Sequence, residues 1–575
     1  MEKVNFLEVK SFGVVPSKNQ VEYQREELTA FIHFGINTFT GMEWGDGGEN
    51  PNIFNPTELD TKQWVSILSE AGFKRIILTC KHHDGFCLWN SKYTKHSVAN
   101  SPWKDGKGDV VKEFSDACHN YGVKIGFYLS PWDQHSEYYG TGDRYNQYYI
   151  NQLEELLTNY GEVSEIWMDG AKGSNVKQDY KFNEWFEFIK KIQPNCLIFS
   201  PIGPDIRWIG NEKGYAGEMC FSTISISNMK KGEDVEYLNK GEIGGEDWVV
   251  GECDVSIRPG WFYHENQDNE VKSLEKLLDI YYKSVGRNGV LLLNVPPNKE
   301  GKFHKNDVSR IKEFGKAIRD TFSENLSLNT SLKVSSSFSE GKYNKNNIVD
   351  GNYDTYWVGN SCENEIIEID FEKEVEFDVI MIQEYIPLGQ RVLEFDVEVL
   401  KNGLWELVFS GKSIGYKRCL KVGKNKSKRI RVNIKKSLEV PIINNIGVYK
   451  EPYYIKEKID FKNSKDKKVS FIEFEKESYI INRHKKKAVF KVIRSGNTKN
   501  EVEINYDTLQ GTALSGIDYQ TWSGTLKFNK EEVEKTFEIN IIENNNSEER
   551  EFYLNLSDCI GGEVGRKGKV SVLIK

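Results

Sequence analysis

The sequence predicts an α/β protein in which a (β/α) barrel of the TIM type is followed by two all-β sandwich domains. At 575 residues the chain is too long for one hydrophobic core, because domains usually contain about 100–200 residues. Apolar runs alternate with amphipathic stretches from residue 31 to about residue 297, which is typical of parallel strands joined by helices. Beyond residue 328 the pattern changes to short strands of alternating polarity, which favours β-sandwiches.

The predicted barrel strands are short apolar runs, and amphipathic helices are predicted between most of them. Six or more such repeats favour a closed barrel over an open sheet, and no glycine-rich nucleotide-binding sequence follows the first strand. The predicted strands are FIHFGI, RIILTC, KIGFYLS, EIWMDG, CLIFSPI, DWVVGEC and GVLLLNVPP. The predicted helices are 61–72, 109–121, 144–160, 182–192, 271–285 and 309–321.

The predicted domain boundaries lie where these patterns change. We expect the barrel domain over residues 1–325 and the first sandwich over residues 326–452. A Lys-rich stretch that breaks the strand pattern predicts a linker over residues 453–468. The second sandwich is expected over residues 469–575.

Composition and charge limit the classes of partner. The net charge of -9 is not concentrated into a basic face, whereas a nucleic-acid-binding protein needs clustered Lys and Arg. The chain has no run of 18 apolar residues, so we expect no membrane span. The 13 Trp and 28 Tyr suit sugar binding, because an aromatic ring covers the apolar face of a sugar while polar neighbours bond its hydroxyls.

The nine cysteines are odd in number and form no CxxC pair, which indicates reduced core residues rather than disulfides or a zinc site. The N-terminal residues MEKVNFLEVKSF lack the features of a signal peptide. That pattern would fit either a cytoplasmic protein or a secreted protein without its leader.

Polar and aromatic residues follow the predicted strands at their carboxyl ends, where barrels of this type place their active sites. Any one of these residues could be a helix cap or a satisfied core residue, but together they indicate a pocket. Two carboxylates in an aromatic pocket are the groups that glycoside hydrolysis uses. The residues are His33, His82, His83, Asp84, Tyr128, Trp132, Asp133, Trp167, Asp169, Glu212, Glu218, Glu252, Arg258 and Trp261.

The strings FIHFGINTFTGMEWG, CKHHDGFCLWNS, KIGFYLSPWDQ, IWMDGAKG and RWIGNEKG occur in this order. Over roughly residues 8–320 they resemble the catalytic domain of the α-L-fucosidases of glycoside hydrolase family 29. The forms SPWD, WIGNE and LGQRVLEF are similar to subfamily B, whose members favour α-1,3 and α-1,4 fucosyl linkages on branched, Lewis-type glycans. The resemblance implies a retaining exo-α-L-fucosidase that acts on fucosylated oligosaccharides or glycoproteins and needs no cofactor for catalysis.

The resemblance also implies roles for single residues. Asp169, from IWMDG, matches the nucleophile, and Glu212, from WIGNE, matches the acid/base, with Glu218 and Glu252 as rivals. In the implied double displacement Asp169 attacks the anomeric carbon while Glu212 protonates the leaving oxygen. The residues that match fucose-binding positions are His33, Trp44, His82 and His83. Strand-end position adds Tyr128, Asp133, Trp167, Trp208, Arg258 and Trp261 as predicted substrate-binding residues.

Two further motifs resemble known β-domains. NIVDGNYDTYWVGN, residues 347–360, resembles discoidin or coagulation factor 5/8 type C domains, in which a nearby loop often holds a structural calcium and other loops can bind sugars. A domain that only packs against the barrel is an equally good interpretation.

GTALSGIDY, residues 511–519, is similar to Calx-beta domains. The stretches YIINRHKKK and ENNNSEER lack the usual acidic residues of that family, so we expect a spacer or adhesion role there rather than calcium binding.

Two alternatives from other classes remain open at this stage. One is a glycan-binding protein on a catalytically inactive barrel. The other is a metal-dependent hydrolase that uses His33, His82, His83 and Asp84 as ligands, although adjacent residues of a strand point in opposite directions. Because fucosidases with appended sandwiches normally act outside the cell, the resemblance implies an extracellular or cell-surface location.

Overall fold

The computed structural model describes residues 8–173, 176–229, 233–338, 341–452, 454–455, 470–476, 478–544, 549–565 and 567–575. The chain forms two compact units, Met1–Pro452 and Tyr453–Lys575. Most of the linker that we predicted over residues 453–468 lies outside the described residues. In the described part of the chain, no helix is both long enough and apolar enough to span a membrane.

Eight parallel strands close into a barrel in the first unit, which confirms the predicted fold class. Their order around the barrel follows the chain, and the eighth strand pairs with the first. The strands are Leu28–Ile32, Arg75–Lys81, Lys124–Leu129, Glu165–Trp167, Leu197–Phe199, Ile206–Trp208, Val250–Ser256 and Val290–Asn294. The α-helices of this domain are Lys18–Glu26, Ile36–Thr40, Thr61–Ala71, Val110–Tyr121, Asp143–Asn159, Phe182–Ile192, Val235–Lys240, Leu274–Lys283 and Lys305–Phe322.

Three strands differ from the prediction. The first strand begins at Leu28 and ends at Ile32, so His33 follows the strand rather than lying within it. Ile206–Trp208, which we had treated as a loop, is the sixth barrel strand, and no helix separates it from the fifth. The predicted strand DWVVGEC is divided: Asp247–Trp248 pairs with Thr223–Ile224 in a separate ribbon, and Val250–Ser256 enters the barrel.

The HHDG turn at the end of the second strand depends on a glycine. Gly85 has a φ of +82°, in the left-handed region that residues with a Cβ rarely adopt. A Cβ at this position would lie 2.3 Å from Asp133 Oδ1. The turn therefore holds the two histidines at the barrel mouth because glycine lets the backbone approach the neighbouring loop.

The first sandwich domain is a seven-stranded antiparallel sheet around a core that is rich in Ile and Val. Two long strands, Glu363–Glu384 and Arg418–Ser437, pair along most of their length. The remaining strands are Ser331–Val334, Trp357–Val358, Val392–Lys401, Leu404–Lys412 and Ile442–Tyr449. The segments EIIEIDF and EFDVIMIQE belong to one long strand, with a register shift between Asp370 and Val375, where the alternating pattern predicts short strands.

This sandwich packs directly against the barrel. Gln390, from the LGQR segment, donates to the carbonyl of Cys220 at 3.0 Å and accepts from Asn288 Nδ2 at 3.2 Å. Ile386 and Tyr416 are part of the apolar cluster that fills the barrel interior. These contacts support the interpretation that this domain packs against the barrel.

The DGNYDT loop of the sandwich, where the resemblance implied a structural calcium, is held by hydrogen bonds and an ion pair. Asp350 accepts from the Thr355 hydroxyl at 2.7 Å, and Asp354 pairs with Arg25 of the barrel domain at 2.6 Å. The Tyr353 carbonyl accepts from Asn444 Nδ2 at 2.9 Å. These contacts tie the loop to the barrel domain and to the last strand of the sandwich.

The second unit is also all-β, with two sheets around its own apolar core. Asp518, in the GTALSGIDY motif, pairs with Arg550 at 3.1 Å and with Arg483 at 3.5 Å. Residues 545–548 of the ENNNSEER stretch lie outside the described residues. The strands are Ser470–Phe474, Ser478–Ile481, Lys487–Gly496, Val502–Leu509, Ser523–Phe528, Glu534–Asn540, Arg550–Ile560, Glu563–Val564 and Lys569–Ile574.

Candidate active site

A cavity of about 380 Å³ opens at the carboxyl ends of the barrel strands. Ten of the twelve predicted site residues line it: His33, Trp44, His82, His83, Tyr128, Trp167, Asp169, Trp208, Glu212 and Trp261. The other lining residues are Phe31, Glu43, Gly170, Ala171, Lys172, Phe199, Pro201, Glu233 and Asp254. The cavity is large enough for a monosaccharide ring, and most of its wall is aromatic.

Hydrogen bonds select the tautomer of two of the histidines. Ser130 donates its hydroxyl proton to the Trp132 carbonyl at 2.6 Å, so it must accept from His83 Nδ1 at 2.8 Å. His33 Nδ1 likewise donates to Asn294 Oδ1 at 2.9 Å, because the Asn294 amide nitrogen donates elsewhere. Each neutral ring therefore keeps Nε2 as a hydrogen-bond acceptor.

Burial keeps these rings neutral. It lowers the pKa of His33 to about 3 and lowers the pKa of His82 and His83 as well. Neighbouring histidines oppose protonation further at His33 and His82. A wall of neutral imidazoles suits a sugar, because each unprotonated nitrogen can accept a proton from a hydroxyl group.

Asp169 lies two residues after the fourth strand and is held from two sides. Its Oδ1 accepts from the Ala171 backbone at 2.8 Å, and its Oδ2 accepts from the Tyr128 hydroxyl at 3.1 Å. His83 Nε2 lies 3.8 Å from the same Oδ2. These contacts orient a carboxylate into the cavity, which is the arrangement that a nucleophile requires.

Glu212 lies on the exposed rim of the cavity, four residues beyond the sixth strand. Trp261 Nε1 donates to its Oε2 at 3.4 Å. Burial raises the pKa of Glu212, and the charges of Asp169 and Glu43 act in the same direction. A carboxyl group with a raised pKa is suited to hold a proton until it is needed.

The two rivals of Glu212 do not line the cavity. Glu218 forms ion pairs with Arg287 and Arg418, which lower its pKa. Glu252 is fully buried beneath the cavity, where it accepts from Trp167 Nε1 at 2.8 Å. Of the three candidate acids, only Glu212 lines the cavity.

Two predicted substrate-binding residues, Asp133 and Arg258, lie away from the cavity. Asp133 is buried and accepts from Lys81 Nζ at 2.9 Å, so it neutralises a lysine behind the histidine turn. Arg258 is fully buried and pairs with Asp307 at 2.6 Å and with Asp268 at 2.9 Å. Both residues follow barrel strands but pair with charged side chains of the protein and do not line the cavity.

Sequence reasoning missed Glu43 and Asp254. Glu43 precedes Trp44 and accepts from the Trp261 backbone at 2.8 Å and from His264 Nε2 at 2.6 Å. Asp254 lies in the seventh strand, two residues after Glu252. Because alternate residues of a strand point to the same side, the sequence could have placed Glu252 and Asp254 together inside the barrel.

The arrangement does not provide the ligands of a metal-dependent hydrolase. Asp84 is absent from the cavity wall, and its carboxylate accepts from Asn37 Nδ2 at 3.1 Å and from the Phe86 backbone at 2.7 Å. Nδ1 of His33 and of His83 is engaged by the protein. Among the described residues, no three His, Cys, Asp or Glu side chains are grouped as metal ligands would be.

Comparison with known proteins agrees with this geometry. The α-L-fucosidase family model matches residues 18–321, the F5/8 type C model matches residues 331–442, and the Calx-beta model matches residues 465–568. The chain is 44% identical to α-L-fucosidase 1 of Arabidopsis thaliana over 447 residues, which is 76% of this chain and 88% of that protein.

Solved structures show the same likeness. A GH29 fucosidase of Ruminococcus gnavus in complex with fucose is 38% identical, with a TM-score of 0.73 over 78% of this chain and 97% of its own. A putative α-L-fucosidase of Bacteroides ovatus is 33% identical, with a TM-score of 0.67 over 97% of this chain and 96% of its own. The chain therefore belongs to the α-L-fucosidase family, glycoside hydrolase family 29, and is an α-L-fucosidase.

Proposed function

We propose that the protein is a retaining exo-α-L-fucosidase that removes terminal α-1,3- and α-1,4-linked fucose from branched, Lewis-type glycans. The observation that carries the mechanism is that Asp169 and Glu212 line one aromatic cavity. Asp169 is oriented by Tyr128 and by a backbone amide, whereas the pKa of Glu212 is raised. One carboxylate is thus arranged for attack and the other for proton transfer.

The reaction proceeds in two displacements. Asp169 attacks the anomeric carbon of fucose and forms a glycosyl-enzyme ester, while Glu212 gives its proton to the leaving oxygen. Glu212, now ionised, takes a proton from water, and the resulting hydroxide equivalent cleaves the ester with overall retention. The neutral His33, His82 and His83 bind the hydroxyls of fucose in both steps.

Azide rescue tests both roles. The Asp169→Gly variant should lose at least about 10³-fold in kcat, and azide should restore turnover with a β-L-fucosyl azide as product. The Glu212→Ala variant with azide should yield the α-anomer, because azide then attacks the fucosyl-enzyme. Glu218→Ala is the matched control and should keep the wild-type kcat. Loss of activity in Glu218→Ala with normal activity in Glu212→Ala would reverse the assignment.

The linkage preference is tested with two natural substrates. The wild-type enzyme should release fucose from a branched Lewis-type trisaccharide and leave an α-1,2-fucosylated lactose intact. Release from both would identify a broad fucosidase. An inactive wild type that still bound the trisaccharide would favour the glycan-binding alternative.

An extracellular or cell-surface location is part of the proposal. It is supported by the appended F5/8 type C and Calx-beta domains, because modular glycosidases of this design act on glycans outside the cell. Fractionation of the producing cells, with fucosidase activity measured in medium, surface and cytoplasmic fractions, would test it. Activity confined to the cytoplasmic fraction would contradict it.

A further inference from the structure

Asp254 is a cavity residue that the double displacement does not use. It lies in the seventh barrel strand, Val250–Ser256, and alternate residues of a strand point to the same side. Glu252 therefore points into the barrel one layer below it, under Trp167. Asp254 reaches the cavity itself although it is only 5% exposed.

One oxygen of Asp254 is already engaged. Trp208 Nε1 donates to Asp254 Oδ1 at 2.8 Å, and Trp208 is the last residue of the sixth strand, from which the chain continues to Glu212. No second side chain of the described residues forms a hydrogen bond with this carboxyl group. Its Oδ2 is therefore the atom that a ligand in the cavity can reach.

The surroundings of Asp254 favour its protonated form. Burial raises its pKa well above the usual range, and the charge of Glu212 raises it further. A neutral carboxylic acid has an O–H donor as well as an acceptor. Because Oδ1 accepts from Trp208, the proton belongs on Oδ2, on the cavity side.

We propose that Asp254 is a further substrate-binding residue, whose carboxylic O–H donates a hydrogen bond to a hydroxyl of the leaving sugar while Trp208 holds the carboxyl group in place. The leaving sugar is the part of the substrate nearest to Glu212, because Glu212 protonates its oxygen. The inference rests on the proposed fucosidase mechanism and assigns to Asp254 a contact with the aglycone rather than with fucose.

The test compares two substrates that differ in the leaving group. In a branched Lewis-type trisaccharide the leaving group is a sugar, whereas α-L-fucosyl fluoride has no sugar on that side and needs no general acid. Asp254→Asn keeps an acceptor for Trp208 and places an N–H donor at the cavity. Asp254→Leu has nearly the same shape but neither group.

We expect Asp254→Asn to stay within about threefold of wild type on both substrates. Asp254→Leu should lose about tenfold in kcat/KM on the trisaccharide, mainly through KM, because one neutral hydrogen bond is lost, and less than threefold on the fluoride. The basic limb of the pH profile should be unchanged in Asp254→Asn, since a group that is already neutral adds no charge to Glu212.

Several results would overturn the inference. Asp254→Asn as impaired as Asp254→Leu would show that an ionised carboxylate is needed. Equal losses of Asp254→Leu on both substrates would place the contact on fucose or make it structural. A wild type inactive on both substrates would instead overturn the proposed fucosidase mechanism, and the inference with it. If Asp254→Leu does not fold, Asp254→Asn and its pH profile still decide the matter.

Discussion

At the scale of single residues, the site is defined by which atoms carry protons. Ser130 and Asn294 each fix a proton on Nδ1 of a histidine, and burial prevents a second proton from binding. The histidine cluster thus adds no positive charge near Asp169. Both histidines of KHHDG line the cavity, and burial lowers the pKa of each.

Removing the acceptor at Ser130 should disturb this tautomer. In Ser130→Ala the Nδ1–H of His83 loses its partner, and the ring can rotate or change tautomer, so we expect kcat/KM on the trisaccharide to fall about tenfold. Ser91→Ala, at another buried serine far from the cavity lining, is the control and should stay near wild type. Equal activity of the two variants would contradict the tautomer assignment.

The lowered pKa of His33 predicts acid sensitivity of the first unit. Its pKa is about 3 when folded and about 6.5 when unfolded, so the unfolded chain binds more protons between these values. The stabilisation that neutral His33 gives the folded state is fully present above pH 6.5. As the pH falls below this value, the free energy of unfolding decreases by about 1.4 kcal/mol per pH unit.

This loss can be measured by denaturant unfolding at pH 7 and pH 5, followed by tryptophan fluorescence. The signal reports mainly the first unit, because Trp522 is the only tryptophan outside it. The free energy of unfolding of His33→Gln should fall less between these pH values than that of wild type, by about 2 kcal/mol. His484→Gln, at an exposed side chain, should behave as wild type, and parallel curves for all three proteins would refute the assignment.

At the scale of elements, two barrel helices begin at caps that sequence reading can detect. Asp60 caps Thr61–Ala71 by accepting from the Gln63 backbone at 2.9 Å, and Asp109 caps Val110–Tyr121 through the Lys112 backbone at 2.8 Å. These helices therefore begin within one residue of the predicted positions. The three-residue strand Ile206–Trp208 carries no comparable signal, because Arg207 interrupts its apolar run.

Loss of the cap at Asp60 should destabilise the first unit. Asp60→Ala leaves the Gln63 amide without its side-chain acceptor, which costs about 1 kcal/mol in the free energy of unfolding. Lys62→Ala, at an exposed position of the same helix, should change that free energy by less than about 0.5 kcal/mol. Both values follow from urea unfolding at pH 7, and equal effects would show that the cap is not a stabilising contact.

At the scale of the whole molecule, the barrel and the first sandwich are joined by hydrogen bonds that each domain would lose without the other. Tyr416 and Lys417 of the sandwich bind Glu27, which lies just before the first strand. Tyr282 of the barrel donates to Glu451 Oε1 at 3.0 Å. Removal of the sandwich would therefore expose both buried polar groups and apolar surface.

Truncation should separate the two units accordingly. A chain that ends at Pro452 contains every residue of the cavity lining, so we expect its kcat/KM to stay within about twofold of wild type. A chain that ends at residue 325 loses the sandwich residues that bind Glu27 and Tyr282 and should aggregate or lose activity. Full activity of the shorter chain would show that the sandwich is dispensable, and loss of activity in the longer one would give the second unit a role in catalysis.

The sequence by itself determined the barrel with two all-β regions, the family and ten of the twelve predicted cavity residues. It could do so because strand periodicity, helix caps and the motifs KHHDG and IWMDG are local patterns. It also predicted a chemistry of two carboxylates, since Asp169 follows a predicted strand and Glu212 matches the WIGNE form of the family.

Only the tertiary structure decided which carboxylates meet in the cavity. The sequence ranked Glu212 above Glu218 and Glu252 through its WIGNE match alone. The structure separates the three because one faces the cavity, one meets two arginines and one is buried below Trp167. Asp133 and Arg258 were misplaced for the same reason, as their partners Lys81 and Asp307 are brought to them by folding. The direction and charge of a side chain depend on its burial and on partners that are distant in the chain. Its immediate sequence neighbours encode neither its burial nor its partners.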